Sequence, residues 1–162
     1  MTSKSAALPA LNGHTILLLL ISGSTATIAF DLWGQWLSPA LGWASLAPIG
    51  LSRSLLGAFG LPNGDPAGNL MHLFLVGLVA YPVGWFYIAR PILTRFGIGE
   101  TLGGAIYGAA LWVFAIGGVT AVAGLPLFLN FTGITWVALI GHTLYGIVAA
   151  LTGIYLKGLR VR

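Results

Sequence analysis

Three ionisable side chains stand in apolar surroundings in this sequence: Asp31, His72 and His142. Asp31 closes a largely apolar run and is flanked by tryptophans in Phe30-Asp31-Leu32-Trp33-Gly34-Gln35-Trp36. His72 opens a second run, in Met71-His72-Leu73-Phe74, and His142 lies within a third, in Gly141-His142-Thr143-Leu144. A carboxylate and two imidazoles allow three kinds of chemistry. They can act as structural glue, with Thr27 one helical turn from Asp31 and with Gln35 and Arg53 completing a hydrogen-bonded cap. They can hold a ligand: one carboxylate and two imidazoles suit zinc or non-haem iron, so Asp31, His72 and His142 are candidate metal ligands. Haem b would instead need His72 and His142 on opposite faces of the porphyrin. They can also relay protons, as Asp/His chains do in pumps.

The elements that position these groups follow from composition. Of 162 residues, 57% are hydrophobic and only 6% are charged, against roughly a quarter charged in soluble domains. So few charges cannot wet the surface of a soluble fold, and the solvent implied is lipid. A bilayer core of about 30 Å takes roughly 20 apolar helical residues to cross. Four runs qualify, at about 14–37, 69–89, 101–125 and 134–156. They are too long and too continuously apolar for barrel strands. The expected fold is an all-α integral membrane four-helix bundle, one domain over 1–162. The first run has signal-peptide features, with Lys4 before an apolar core and a small-residue site near Ala29; we read it as the first span.

Orientation follows from the basic residues. Lys4, Arg90, Arg95, Lys157, Arg160 and Arg162 fall on one side of a four-span layout and Arg53 alone on the other. The positive-inside rule then puts both termini in the cytoplasm of a cell with an inner membrane. Trp33, Trp36, Trp43 and Trp136 mark the expected outer interface, and Trp85, Tyr87 and Tyr155 the inner one. The long outer connection between the first two spans reads as a short interfacial helix over 49–59, with Leu51, Leu55, Ala58 and Phe59 on one face. It is either a lid on the bundle or a docking surface.

Small residues should bring the spans together, because lipid leaves burial no driving force between them. Gly104-x-x-x-Gly108 is one such site, within the chain or toward a partner. In the fourth span Thr135, Ala138, His142, Tyr145, Ala149 and Thr152 recur in steps of three and four, one face of a bundle helix. At 1.5 Å per residue, Asp31 lies about 9 Å, His142 about 12 Å and His72 about 5 Å below the outer ends of their spans. First and last helices are neighbours in an up-down bundle, so the expected contact is Asp31 with His142. Gly77, five residues beyond His72, points about 140° away from it on an α-helical wheel. If the glycines face the bundle, His72 faces the outer loop or a partner.

Other features carry less. His14 reads as interfacial, Glu100 as a helix start and Asp65 as part of the Asn63-Gly64-Asp65-Pro66 turn. Asn130-Phe131-Thr132 matches a glycosylation sequon. Ser24 and Ser54 have no base beside them for nucleophilic catalysis. The chain has no cysteine, hence no thiolate metal site. It has no phosphate-binding glycine loop, and no basic patch with interleaved aromatics for nucleic acid.

Thr25-Ala26-Thr27-Ile28-Ala29-Phe30-Asp31-Leu32-Trp33 resembles the aspartate-bearing end of the first span in an uncharacterised family of small bacterial four-span membrane proteins, a domain of unknown function. Met71-His72-Leu73-Phe74-Leu75-Val76-Gly77 and Gly141-His142-Thr143-Leu144-Tyr145-Gly146 are similar to that group's histidine segments. The resemblance implies a four-helix fold in a bacterial inner membrane and implies no activity. The functional expectation is a non-catalytic accessory subunit or assembly factor of a larger respiratory or photosynthetic membrane complex, with the lipid bilayer and other membrane subunits as partners. The alternatives are a haem- or metal-binding protein using His142 with Asp31 or His72, and a small proton-coupled transporter.

Overall fold

The computed structural model describes residues 10–158, with side chains as far as 156. Among these residues there are helices and no strands. Four helices are long and apolar enough to cross a membrane: α1 (Gly13–Ala40), α3 (Asp65–Arg95), α4 (Glu100–Val122) and α5 (Gly133–Gly158). A shorter α2 (Pro48–Ala58) lies in the connection between α1 and α3.

The first three starts have a chemical cause. The Asn12 side chain accepts from Thr15 N at 3.0 Å and caps α1. Pro48 and Pro66 stand in the first turns of α2 and α3, where a missing N–H costs nothing. The stops share a device: α1 to α4 each run into a glycine at positive φ, namely Gly42, Gly60, Gly97 and Gly124.

α3 outruns its expected 69–89 at both ends. The turn signal at Asp65-Pro66 opens the helix instead of preceding it, and Pro91 does not end it. Besides Val113–Val119 of α4, which no proline follows directly, three stretches, Leu32–Leu37, Leu70–Ala80 and Gly84–Ala89, are wound in wider i→i+5 turns. Each runs up to the residue before a proline. There the N–H reaches five residues back: Ser38 to Trp33 O, Tyr81 to Val76 O and Arg90 to Trp85 O. A proline has no N–H and its ring strikes the carbonyl four residues back; a wide turn absorbs that clash without breaking the helix. The carbonyl five residues before such a proline has no N–H opposite it. For Pro39 it is that of Gly34, and Leu46 N takes it at 2.8 Å. For Pro82 it is that of Gly77, and the Tyr145 hydroxyl donates to it at 2.6 Å. The first bond folds the α1–α2 connection back onto α1. The second ties α5 to α3.

α1 packs against α5 and α3, and α4 packs against α5 and the last turns of α3. Gly104-x-x-x-Gly108 is spent inside the chain. A Cβ on Gly108 would stand 2.2 Å from His142 O, and one on Gly146 would stand 2.1 Å from Gly104 O. The expected seam of α5 is borne out from Thr135 to Ala149, with Thr135, Ala138, His142, Tyr145 and Ala149 buried; Thr152, its expected last member, is only half-buried, and Gly153 is buried instead. Trp85 corrects its expected place in an interfacial girdle. It is 1% exposed, packed over Gly103 of α4, where the missing side chain makes room for the indole. Trp36, Trp43 and Trp136 are exposed at the end that carries α2, and Tyr155 is exposed toward the other. Arg53 lies at the α2 end and Arg90 and Arg95 at the far end of α3. Lys4, Arg160 and Arg162 lie outside the described residues.

The α4–α5 connection makes a left-handed turn, with φ of 48°, 51°, 56° and 54° at Phe128, Leu129, Asn130 and Phe131. This conformation costs an L-residue roughly 1–2 kcal/mol. Contacts offset it: Thr135 Oγ1 donates to Phe128 O at 2.6 Å, and the Phe128 ring lies over Gly117 and 4.9 Å from Trp112.

Candidate ligand chamber

The carboxylate of Asp31 meets a histidine, but not the one expected. His72 Nε2 stands 3.0 Å from Asp31 Oδ1, and Gln35 Nε2 donates to the same oxygen at 2.8 Å. The winding of α3 explains the difference. On a regular α-helix His72 and Gly77 point apart; in i→i+5 turns residues five apart stack one above the other. Both are therefore buried on the inner face. The backbone at Gly77 rests on Thr27, whose Oγ1 occupies the place a Cβ would need. His72 reaches past it to Asp31.

His142 turns its Nδ1 to its own helix, 2.8 Å from Ala138 O. A carbonyl only accepts, so Nδ1 carries the proton. The ring meets Phe30 edge-on at 5.0 Å and Tyr81 at 6.3 Å, and Phe30 also packs on His72 at 6.0 Å. No group of three or more His, Cys, Asp or Glu side chains among the described residues is placed to hold a metal ion. Asp31 and His72 come together, and His142 engages Ala138 and the aromatic rings instead. Arg53 does not cap this cluster. Its Nε donates to Asn63 O at 2.8 Å and its Nη1 pairs with Asp65 at 2.5 Å.

A chamber of about 440 Å³ opens beside these groups, within the usual range for small-molecule sites. Its walls come from every helix and both connections at the α2 end. α2 contributes Leu51 and Leu55. Ala58 and Phe59, expected on the same face, are exposed because the helix ends there and the chain turns away at Gly60. α4 contributes Phe114, Ile116 and Val119, and the left-handed turn contributes Leu129. The lining is apolar except around Thr27, His72, Tyr81, His142 and Tyr145, and at Ser52 and Ser54 on α2. Counting 1.5 Å per residue from the start of α5, His142 lies about 14 Å and Tyr145 about 18 Å in. The polar groups thus gather along the deeper part, with aliphatic walls nearer the connections.

Tyr81 was not singled out in the sequence. The available signal was Tyr81-Pro82 inside an apolar run, a proline that an unbroken helix must work around. Tyr107 donates to the Tyr81 carbonyl at 2.6 Å, and the Tyr81 ring meets Tyr145 edge-on at 5.4 Å. The result is an aromatic floor under an oil-lined space. Such a space can enclose an apolar molecule and fix a single polar end.

No family model, curated protein or solved structure matches this chain.

Proposed function

We propose that the chain is a non-catalytic protein of the cytoplasmic membrane that holds an apolar ligand in the chamber at the α2 end of its bundle, as an accessory component of a larger membrane complex. The observation that carries this reading is the chamber itself: a half-open apolar cavity with a few convergent polar groups, formed where four membrane-length helices meet their connections. Both termini lie on the cytoplasmic side. In support, Arg90, itself paired with Glu100, and Arg95 stand at the end away from α2, against Arg53, paired with Asp65, at the α2 end among the described residues. α2 lies at the outer interface as the lid of the chamber. α3, with Leu70, Leu73, Phe74 and Leu75 exposed, turns its outer face to lipid.

The test is extraction of whatever travels with the protein. Purified gently from its native membrane, it should carry a stoichiometric apolar molecule, detectable by mass spectrometry after solvent extraction. Val76→Trp, which crowds the chamber wall, should lose most of it. Equal recovery from both proteins would defeat the reading. Because the chain has no cysteine, single substitutions Leu61→Cys and Phe96→Cys report topology through membrane-impermeant labelling. Only the first should label from outside.

A further inference from the structure

Resting on the chamber as a binding site, the chemistry of its floor narrows the occupant: we infer that the ligand is an apolar molecule ending in a hydroxyl group, a long-chain or prenyl alcohol or a hydroquinone, whose O–H donates to His142 Nε2 and whose oxygen accepts from the Tyr81 hydroxyl.

The inference comes from asking which polar atoms facing the chamber are already satisfied. His72 is engaged by Asp31. The Tyr145 hydroxyl is spent on the Gly77 carbonyl and the Tyr107 hydroxyl on the Tyr81 carbonyl. Two groups remain. His142 is 5% exposed and lines the chamber. Its Nδ1–H is committed to Ala138 O, and Nε2 has no partner among the described residues. No carboxylate pairs with this ring, so a charged imidazolium would stand uncompensated in apolar surroundings. The ring is neutral, and Nε2 offers a lone pair. The Tyr81 hydroxyl also has no partner among the described residues, and its ring lies 6.3 Å from that of His142. A phenol donates where an imidazole nitrogen can only accept.

Two open groups of opposite sense on one floor select for a group that both donates and accepts. A hydroxyl does both with one atom. A ketone, ester or ether oxygen serves Tyr81 but leaves the His142 lone pair unpaired, and a hydrocarbon serves neither. A buried polar atom left without its partner is the strong discriminator between otherwise similar ligands. The aliphatic walls accept the rest of such a molecule without preference for its branching.

Binding of farnesol, its methyl ether and the parent alkane farnesane to the full-length protein in nanodiscs, corrected by empty nanodiscs, tests this. Farnesol should bind about tenfold or more tightly than the ether, and the ether more tightly than the alkane. Tyr81→Phe should weaken farnesol and ether alike and leave their ratio intact. His142→Phe should erase the ratio. If that variant does not fold, the wild-type ratio and Tyr81→Phe decide alone. Equal affinity for all three probes in the wild type would overturn the head-group assignment while leaving the chamber as a binding site. Absence of binding by any of them would overturn the assignment and the chamber reading together.

Discussion

Replacing Tyr145 with phenylalanine removes one oxygen atom and, with it, the donor that serves the Gly77 carbonyl. In most helices a lost side-chain contact of this kind is partly recovered, because the backbone carbonyl keeps its own partner. Here it cannot be. The N–H four residues on, at Tyr81, is drawn to Val76 O, and the residue five on is Pro82, which has no N–H. Interhelical hydrogen bonds in membrane proteins average about 0.6 kcal/mol with a maximum near 1.7, and a buried carbonyl left unpaired costs about 1–3 kcal/mol. Tyr145→Phe should therefore lie at the upper end of the membrane range, about 1.5 kcal/mol. Pro82→Ala carries its own cost, because Pro82 is buried against Gly23. It also supplies an in-helix donor and allows Tyr81 N–H to return to Gly77 O. In that background the Tyr145 hydroxyl is redundant, and its removal should cost less than half as much. The four proteins of this double-mutant cycle can be compared by denaturant unfolding in mixed micelles, followed by tryptophan fluorescence. Additivity of the two substitutions would refute the account of the proline turn, whatever the sizes of the single effects.

Two further perturbations test the rest of the framework by the same unfolding assay. Gly108→Ala forces a methyl against the His142 carbonyl on α5 and should cost about 1–3 kcal/mol, whereas Gly118→Ala, 4.0 Å from its nearest neighbour on the same helix, should be neutral or stabilising by up to about 1 kcal/mol. Equal stability of the two variants would remove the close α4–α5 crossing. Asp31→Ala deprives His72 and Gln35 of their acceptor and should cost about 1–3 kcal/mol, with Asp31→Asn costing less because an acceptor oxygen remains. Arg53→Ala should cost under about 1 kcal/mol, since that pair is 47% and 73% exposed. A larger loss for Arg53→Ala than for Asp31→Ala would invert the ranking of the two clusters.

The spans were legible because length and apolarity are set by the solvent, and no tertiary detail can hide them. The seam of α5 was legible for a related reason. That helix is regular, so steps of three and four from Thr135 to Ala149 translate directly into one face. The pairing of Asp31 was not legible, although every residue in it had been named. It turns on the face of His72, and the wheel used to place His72 assumes a uniform 100° per residue. Leu70–Ala80 does not obey that assumption, because Pro82 follows it. Trp85 failed for a different reason. A tryptophan near the end of a span is interfacial only if nothing across the bundle leaves room for it, and Gly103 does. The chamber needs five helices and two connections at once, and no periodicity in a single segment announces it.

The proline turns connect these separate outcomes. A bundle with three acidic residues in the whole chain has few polar side chains from which to build a site, so backbone groups must supply part of the polarity. Each glycine five residues ahead of a proline, Gly34 and Gly77, presents a carbonyl that its own helix has released, with no side chain in the way. At Gly34 the released carbonyl captures the chain entering α2 and so fixes the lid. At Gly77 it captures Tyr145 and so fixes the floor. The same widening turns His72 inward, where Asp31 meets it and the chamber wall forms. Pro82 lines none of the chamber, yet its missing N–H decides which residues do. Restoring regular winding by Pro82→Ala should therefore weaken ligand retention as well as alter stability, even though every group proposed to touch the ligand is still present.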